Sequence, residues 1–209
     1  MSTRPHDPVL ERILFLTDGV FAIALTLLAL ELRLPVDPRG LTESQMLSAL
    51  LETWPKLLGY ATSFTVLSIF WVGNHQFAQL LRRADPPLVW LILLHLSFIA
   101  FLPFPTALIG ERPDSVVASE FYCGSLLATM LTVIAITWYA TWNHRLVAPD
   151  LDRKFIRYHR WSVISGVILL LLLMAVIPLG LPRIVTPLLL LYLLALGYIA
   201  VFMREHYAF

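Results

Sequence analysis

Six apolar runs divide the chain, each near the roughly 20 residues that a membrane-crossing helix requires. They cover about 12–34, 56–81, 87–109, 116–142, 161–181 and 184–203. The pattern predicts an all-α integral membrane protein, one domain over residues 1–209 with six transmembrane helices. The breaks have physical causes. Asp7-Pro8 suits a helix N-cap followed by proline in the first turn. Leu34-Pro35 is expected to end the first span, because proline restrains the preceding residue and supplies no N–H. Asp85-Pro86-Pro87 separates the second and third runs. Pro103 and Pro105 should kink or shorten the third, and Pro178 and Pro182 end the fifth. Trp54, Trp90, Trp142 and Trp161 fall near run ends, where amphipathic rings favour the membrane boundary. No secretory signal is expected, since the first run starts late, carries Asp18 and lacks a small-residue cleavage site.

Composition agrees with that pattern. Of 209 residues, 58% are hydrophobic and 14% charged, against roughly 45–50% and 25% in a soluble domain. Mean hydropathy is +0.77. Disorder is excluded, a soluble enzyme is disfavoured, and a net charge of +1 offers no field for nucleic acid. Cys123 is the only cysteine, so neither an intrachain disulfide nor a Cys-rich metal site can form.

Charge placement orients the chain. With six spans both termini share a side. That side holds Arg4, Arg12, Arg82, Arg83, Arg145, Arg153, Lys154, Arg157, Arg160 and Arg204. The other holds Arg33, Arg39, Lys56, Arg112 and Arg183. The bias places both termini in the cytoplasm, with the Arg145–Arg160 loop as its strongest element. The absence of a targeting extension favours a bacterial inner membrane.

Polar residues within spans are costly and mark candidate sites. They concentrate in the first three spans, whereas the fifth and sixth contain nearly pure aliphatic stretches at Leu169–Leu173 and Leu188–Leu191. Asp18 lies about 9 Å inside the layer counted from Arg12, and His75 about 10 Å inside counted from Arg82. His95 sits at comparable depth on the third span. Thr17, Asp18, Trp71, Asn74 and His75 could therefore form one buried polar cluster, read either as a packing network or as a proton relay. An aliphatic stripe points elsewhere. Ile23, Leu27 and Leu30 lie within about 60° of each other on the first helix, while Asp18 points about 140° away from Ile23. Such a stripe can contact lipid, form a helix seam, or constrict a pore by dewetting, and periodicity alone does not choose among these. The chain has no TVGYG-like filter, arginine ladder, phosphate-binding loop or HExxH. His144 and His159 lack metal-ligand spacing, so no metal site and no catalytic constellation is expected.

The stretch from Glu11 to Pro35, ERILFLTDGVFAIALTLLALELRLP, resembles the first span of prokaryotic relatives of transmembrane protein 175, the endolysosomal potassium channel. Their signature is an arginine, three residues, then Phe-Ser-Asp. Here Arg12 precedes Leu16-Thr17-Asp18, which keeps the hydroxyl and the acid. Trp71-Val72-Gly73-Asn74-His75 and LPFPTALIGE from Leu102 to Glu111 agree in order and spacing. The resemblance implies a potassium-favouring cation channel, a homotetramer with one six-span unit per chain. It implies that the first helix lines the pore, with Ile23, Leu27 and Leu30 as the hydrophobic constriction and Ile23 the narrowest point. It also implies a structural polar network around Arg12, Thr17, Asp18, Asn74 and His75. Potassium would be the permeant ion, with no cofactor. The rival readings are a proton-coupled transporter or proton pathway using Asp18, His75 and His95, and a non-transporting scaffold whose basic loop recruits a partner or anionic lipid.

Overall fold

The computed structural model describes residues 7–34, 37, 39–147, 153–192, 194 and 195. These residues are helical throughout their ordered elements: α1 (Pro8–Leu30), α2 (Glu43–Glu52), α3 (Trp54–Ala78), α4 (Pro86–Phe101), α5 (Pro103–Glu111), α6 (Val116–Thr141) and α7 (Arg153–Val176). A shorter apolar helix follows over Pro182–Tyr192. By length and composition, four stretches can cross a membrane: α1, α3, α4 with α5, and α6. Helix is forced there, since backbone N–H and C=O groups in hydrocarbon must be satisfied within the segment.

Helix ends differ from the sequence expectation where side chains cap them. α1 starts at Pro8 rather than near residue 12, because Asp7 Oδ1 accepts the backbone N–H groups of Val9 and Leu10 at 2.9 and 3.2 Å. It ends at Leu30, earlier than Leu34, with Glu31 as C-cap. The Arg33 guanidinium closes that end by donating to the Leu30 carbonyl. Asp85 caps α4 through Leu88 N, as its Asp-Pro-Pro context predicts. The third run divides at Leu102, with Pro103 opening α5. α7 begins at Arg153 rather than near Trp161. It gives way to a 3-10 turn over Ile177–Leu179 that closes on Gly180, whose φ of +94° suits glycine. The expectation left α2 out altogether. Arg4, Pro35, Arg204 and the sixth predicted span beyond residue 195 lie outside the described residues. So do the side chains of His144, Arg153, Lys154, Arg157, His159 and Arg160.

The helices pack as a bundle in which α1 lies against α3 and α4, α3 against α5, and α6 against both α4 and α7. The core holds Phe21, Leu28, Leu67, Leu88, Ile99 and Tyr122. At the α6–α7 contact Gly166 takes the end of Met130, where an added Cβ would come within 2.7 Å of Met130 Cε. Buried hydroxyls join three helices: Tyr122 on α6 pairs with Ser63 on α3 at 2.8 Å, and Thr106 on α5 donates to the same Ser63 oxygen.

One end of the bundle is fastened by the loop between α3 and α4. Asp7 uses its second oxygen to accept the N–H of Ala84 at 2.9 Å, so the cap of α1 also holds this loop. On the loop's other side, Leu81 bridges Val147 and Arg82 N donates to the Leu146 carbonyl. Asp85 accepts from Tyr139 OH at 2.8 Å and pairs with Arg145 at 3.2 Å, and the Arg145 guanidinium lies over the Tyr139 ring. Partial burial raises the Asp85 carboxyl, but the bonds from Tyr139 and Leu88 N and the Arg145 charge outweigh it, so its pKa falls below 3.8.

Two outcomes follow at this end. Asp7→Ala removes the cap and the Ala84 tie together, and should cost about 1 kcal/mol or somewhat more, read as a lowered midpoint of thermal unfolding in detergent. Asp85→Asn should destabilise the protein at neutral pH. A depressed carboxylate contributes above its unfolded value and loses that contribution as pH falls through the folded one. The gap between parent and Asp85→Asn midpoints should therefore close as pH drops below 3.8.

Candidate pore-lining face and polar network

α1 has two sides of opposite character. Leu10, Ile13, Thr17, Phe21, Ala24 and Leu28 are buried against the bundle. Ile23, Leu27 and Leu30 are 61%, 39% and 64% exposed, while Phe21, Ala24 and Leu28 are each at 1%. The stripe read from sequence thus faces away from this chain's own core, along with Leu16 and Gly19. In a membrane such a face meets either lipid or another chain. Thr26, beside the stripe, donates its hydroxyl to the Ile23 carbonyl at 2.8 Å, so its hydrogen is satisfied within the helix.

The expected polar cluster is divided rather than single. Trp71 on α3 donates its indole N–H to Asp18 Oδ1 on α1 at 2.9 Å and stacks on His75 with ring centroids 5.5 Å apart. His75 Nε2 pairs in turn with Gln79 at 3.0 Å. Asp18, Trp71 and His75 are all exposed on the single chain, so this line runs along the surface of the bundle. No hydrogen bond joins Asp18 to His75 among the described residues. Thr17 is buried and donates to the Ile13 carbonyl, apart from the line. Asn74 is half-buried and Arg12 exposed, and neither makes a hydrogen bond or ion pair among the described residues. His95 is buried elsewhere: its Nδ1 meets Thr132 of α6 at 2.8 Å, and its ring packs near Phe21 and Phe70. Depth counting places these groups at similar levels, but it carries no azimuth, and azimuth separates them.

Sequence reading passed over one further intramembrane acid, Glu120 on α6. Its Oε1 and the neighbouring Ser119 Oγ are buried and make no hydrogen bond among the described residues. Among those residues no group of three or more His, Cys, Asp or Glu could hold a metal ion.

Apolar helices of spanning length, packed with an exposed aliphatic stripe on the first, define a multi-pass helical membrane protein. A family model described as the endosomal/lysosomal potassium channel TMEM175 matches residues 12–103. A potassium channel of Chamaesiphon minutus is 38% identical over 165 residues, covering 73% of this chain and 76% of that one. The endosomal/lysosomal proton channel TMEM175 of Bos taurus is 28% identical over 152 residues, covering 68% of this chain and 31% of the relative. The crystal structure of a lysosomal potassium-selective channel TMEM175 homolog from Chamaesiphon minutus superposes with a TM-score of 0.72 at 29% identity, covering 90% of this chain and 98% of that one. The chain belongs to the TMEM175 family.

The Asp18–Trp71 bond can be weighed by a double-mutant cycle. Trp71→Phe keeps an aromatic face for His75 and removes the donor, while Asp18→Ala removes the acceptor. The two should be non-additive by about 1 kcal/mol in thermal unfolding. Strict additivity would mean that the bond contributes nothing in the membrane-mimetic state.

Proposed function

We propose that this protein is a potassium-favouring cation channel whose narrow point is a hydrophobic constriction on the first helix of each subunit. The observation that carries the reading is the exposure of Ile23, Leu27 and Leu30 on a helix whose opposite side is fully buried. An aliphatic stripe that the chain's own core does not cover is what a pore formed between chains requires. Four copies, arranged as a homotetramer, would bring four Ile23 side chains together, and potassium would shed part of its hydration to pass. Selectivity then follows from steric and dehydration cost rather than from a carbonyl filter, and is modest.

In this reading the chain spans the membrane six times. The four long spans are joined by the shorter apolar helices Val163–Leu179 and Pro182–Tyr192 as spans five and six. Both termini lie in the cytoplasm and the protein resides in a bacterial inner membrane. Arg12, Thr17, Asp18, Asn74 and His75 serve packing, not conduction. The indole nitrogen is a donor only and cannot pass a proton on. The link Asp18–Trp71–His75 therefore supports a structural bracket between α1 and α3 better than a relay. The rival reading, a proton pathway through Asp18 and His75, predicts that Asp18→Asn abolishes transport while the protein still assembles.

The test is potassium flux into liposomes containing the purified protein, with sodium and protonophore controls. Ile23→Asn should raise flux or reduce the preference for potassium over sodium, because an amide can replace part of the lost hydration shell. Unchanged flux and preference in that variant would remove Ile23 as the constriction. Absence of flux from folded, reconstituted parent protein would remove the channel reading.

A further inference from the structure

The connection between α1 and α3 contains a helix that neither crosses the membrane nor joins the core. α2 has a complete capping box: Thr42 Oγ1 accepts the Gln45 N–H, and the Gln45 side chain accepts the Thr42 N–H at 2.9 Å. A ten-residue helix that begins this firmly is a built element rather than a stray turn. It is amphipathic. Met46, Leu47, Ala49, Leu50 and Leu51 occupy one arc, interrupted only by Glu43 on the first turn, and Ser44, Gln45, Ser48 and Glu52 the other. Ala49 is buried and Met46 half-buried, whereas Leu47, Leu50 and Leu51 are 59%, 52% and 69% exposed. Apolar surface gains by leaving water, so three leucines left in water would be a standing cost.

The height of α2 relative to the membrane is not free. Thr53 is both its C-cap and the N-cap of α3. α3 is a spanning helix and opens on exposed Trp54, the residue type that marks the membrane boundary. α2 therefore ends at that boundary. Its exposed leucines continue into exposed Trp54, Leu57 and Phe64, which follow one another at helical spacing down α3. The charge pattern narrows the surface it meets. Residues 43–52 hold Glu43 and Glu52 and no lysine or arginine, so an anionic lipid surface would repel rather than attract them. Glu43 falls between Leu47 and Leu50 in azimuth but on the first turn, where the helix dipole favours it and its carboxylate can reach the headgroups.

We propose that α2 is an interfacial anchor. It lies flat on the bilayer with Leu47, Leu50 and Leu51 sunk into the headgroup boundary of zwitterionic phospholipid, and so holds the start of α3 at a fixed depth. The partner is the lipid surface, not a second copy of the chain, and the inference stands whether or not the protein conducts.

Site-directed spin labelling tests it directly. Cys123 is the only cysteine and is fully buried, so single cysteines can be introduced without removing it. Labels at Ser44→Cys, Ser48→Cys, Leu47→Cys and Leu50→Cys are read in phosphatidylcholine liposomes for collision with oxygen and with a water-soluble nickel chelate. The oxygen-to-chelate ratio should be several-fold higher at the two leucine positions than at the two serine positions. Equal access of the chelate to all four would overturn the proposal, because α2 would then stand in water. Shielding of the leucine positions from both agents, with dipolar broadening between labels, would also overturn it in favour of a second copy covering the face. Footprinting of the unmodified chain guards against a label that disturbs α2. A lipid-soluble diazirine should modify residues 47–51 more than a water-soluble one, and the reverse ranking would refute the anchor.

Discussion

Every backbone N–H and C=O placed in hydrocarbon must find its partner inside the protein, and this one constraint organises the molecule. It makes the spanning segments helical, and it also governs their side chains. Thr17 donates to the Ile13 carbonyl, Thr26 to Ile23, Thr62 to Leu58, Thr65 to Ala61, Ser68 to Phe64, Ser125 to Phe121 and Thr129 to Ser125. Each hydroxyl is spent on its own helix three or four residues back, which lets these helices carry many polar residues at little cost. Hydroxyls also do interhelical work where three helices converge, at Ser63, Thr106 and Tyr122. Burial of Tyr122 there is complete, so its phenol needs this partner.

The same constraint turns helix ends into points of control. The first N–H groups of α1 have no partner within the helix, and Asp7 supplies one. Because a carboxylate has two oxygens, that cap also reaches Ala84 and binds the start of α1 to the α3–α4 loop. The loop is held in turn to Leu146 and Arg145, beyond the end of α6. At the opposite end Arg33 closes α1, and Lys56 of α3 reaches the Arg33 carbonyl. α1 is thus tied at both ends to α3 or to the loop that follows it, and Asp18–Trp71 ties the two between. Three fastenings leave the outward face of α1 free of intrachain duties. A helix meant to line a pore between subunits needs that division, with one side fixed and the other unoccupied.

Much of this was legible in the residues. Asp7-Pro8 and Asp85-Pro86 announce their caps, Pro103 announces the break between α4 and α5, and the long apolar runs announce their helices. Other features were not, for physical reasons. α2 is too short and too rich in Ser, Gln and Glu to register as a span, and its amphipathic period gains meaning only from its junction with α3. The division between Asp18 and His95 was hidden because distance along a helix gives depth while contact depends on rotation. His95 turns towards Thr132 and the rings of Phe21 and Phe70, and Asp18 turns outward to Trp71. The stripe of Ile23, Leu27 and Leu30 was readable as a stripe, but its exposure was not, since aliphatic residues pack inside as readily as they face out.

That last ambiguity shows where the functional argument gains its force. A face of isoleucine and leucine on a spanning helix costs nothing when lipid covers it, so exposure alone does not distinguish lipid from pore. The fastenings of α1 do add weight. A helix that only faced lipid would need no more than its buried side to hold it, whereas a constriction depends on sub-ångström placement of a few side chains and gains from a backbone fixed at both ends and in the middle. The exposed Asp18–Trp71–His75 line points the same way. Polar groups directed at hydrocarbon are expensive, so their place on the surface of the single chain calls for a covering neighbour or a hydrated boundary rather than bare lipid. In the proposed channel both the aliphatic stripe and the polar line would find their partners in an assembly, the stripe facing the conduction path.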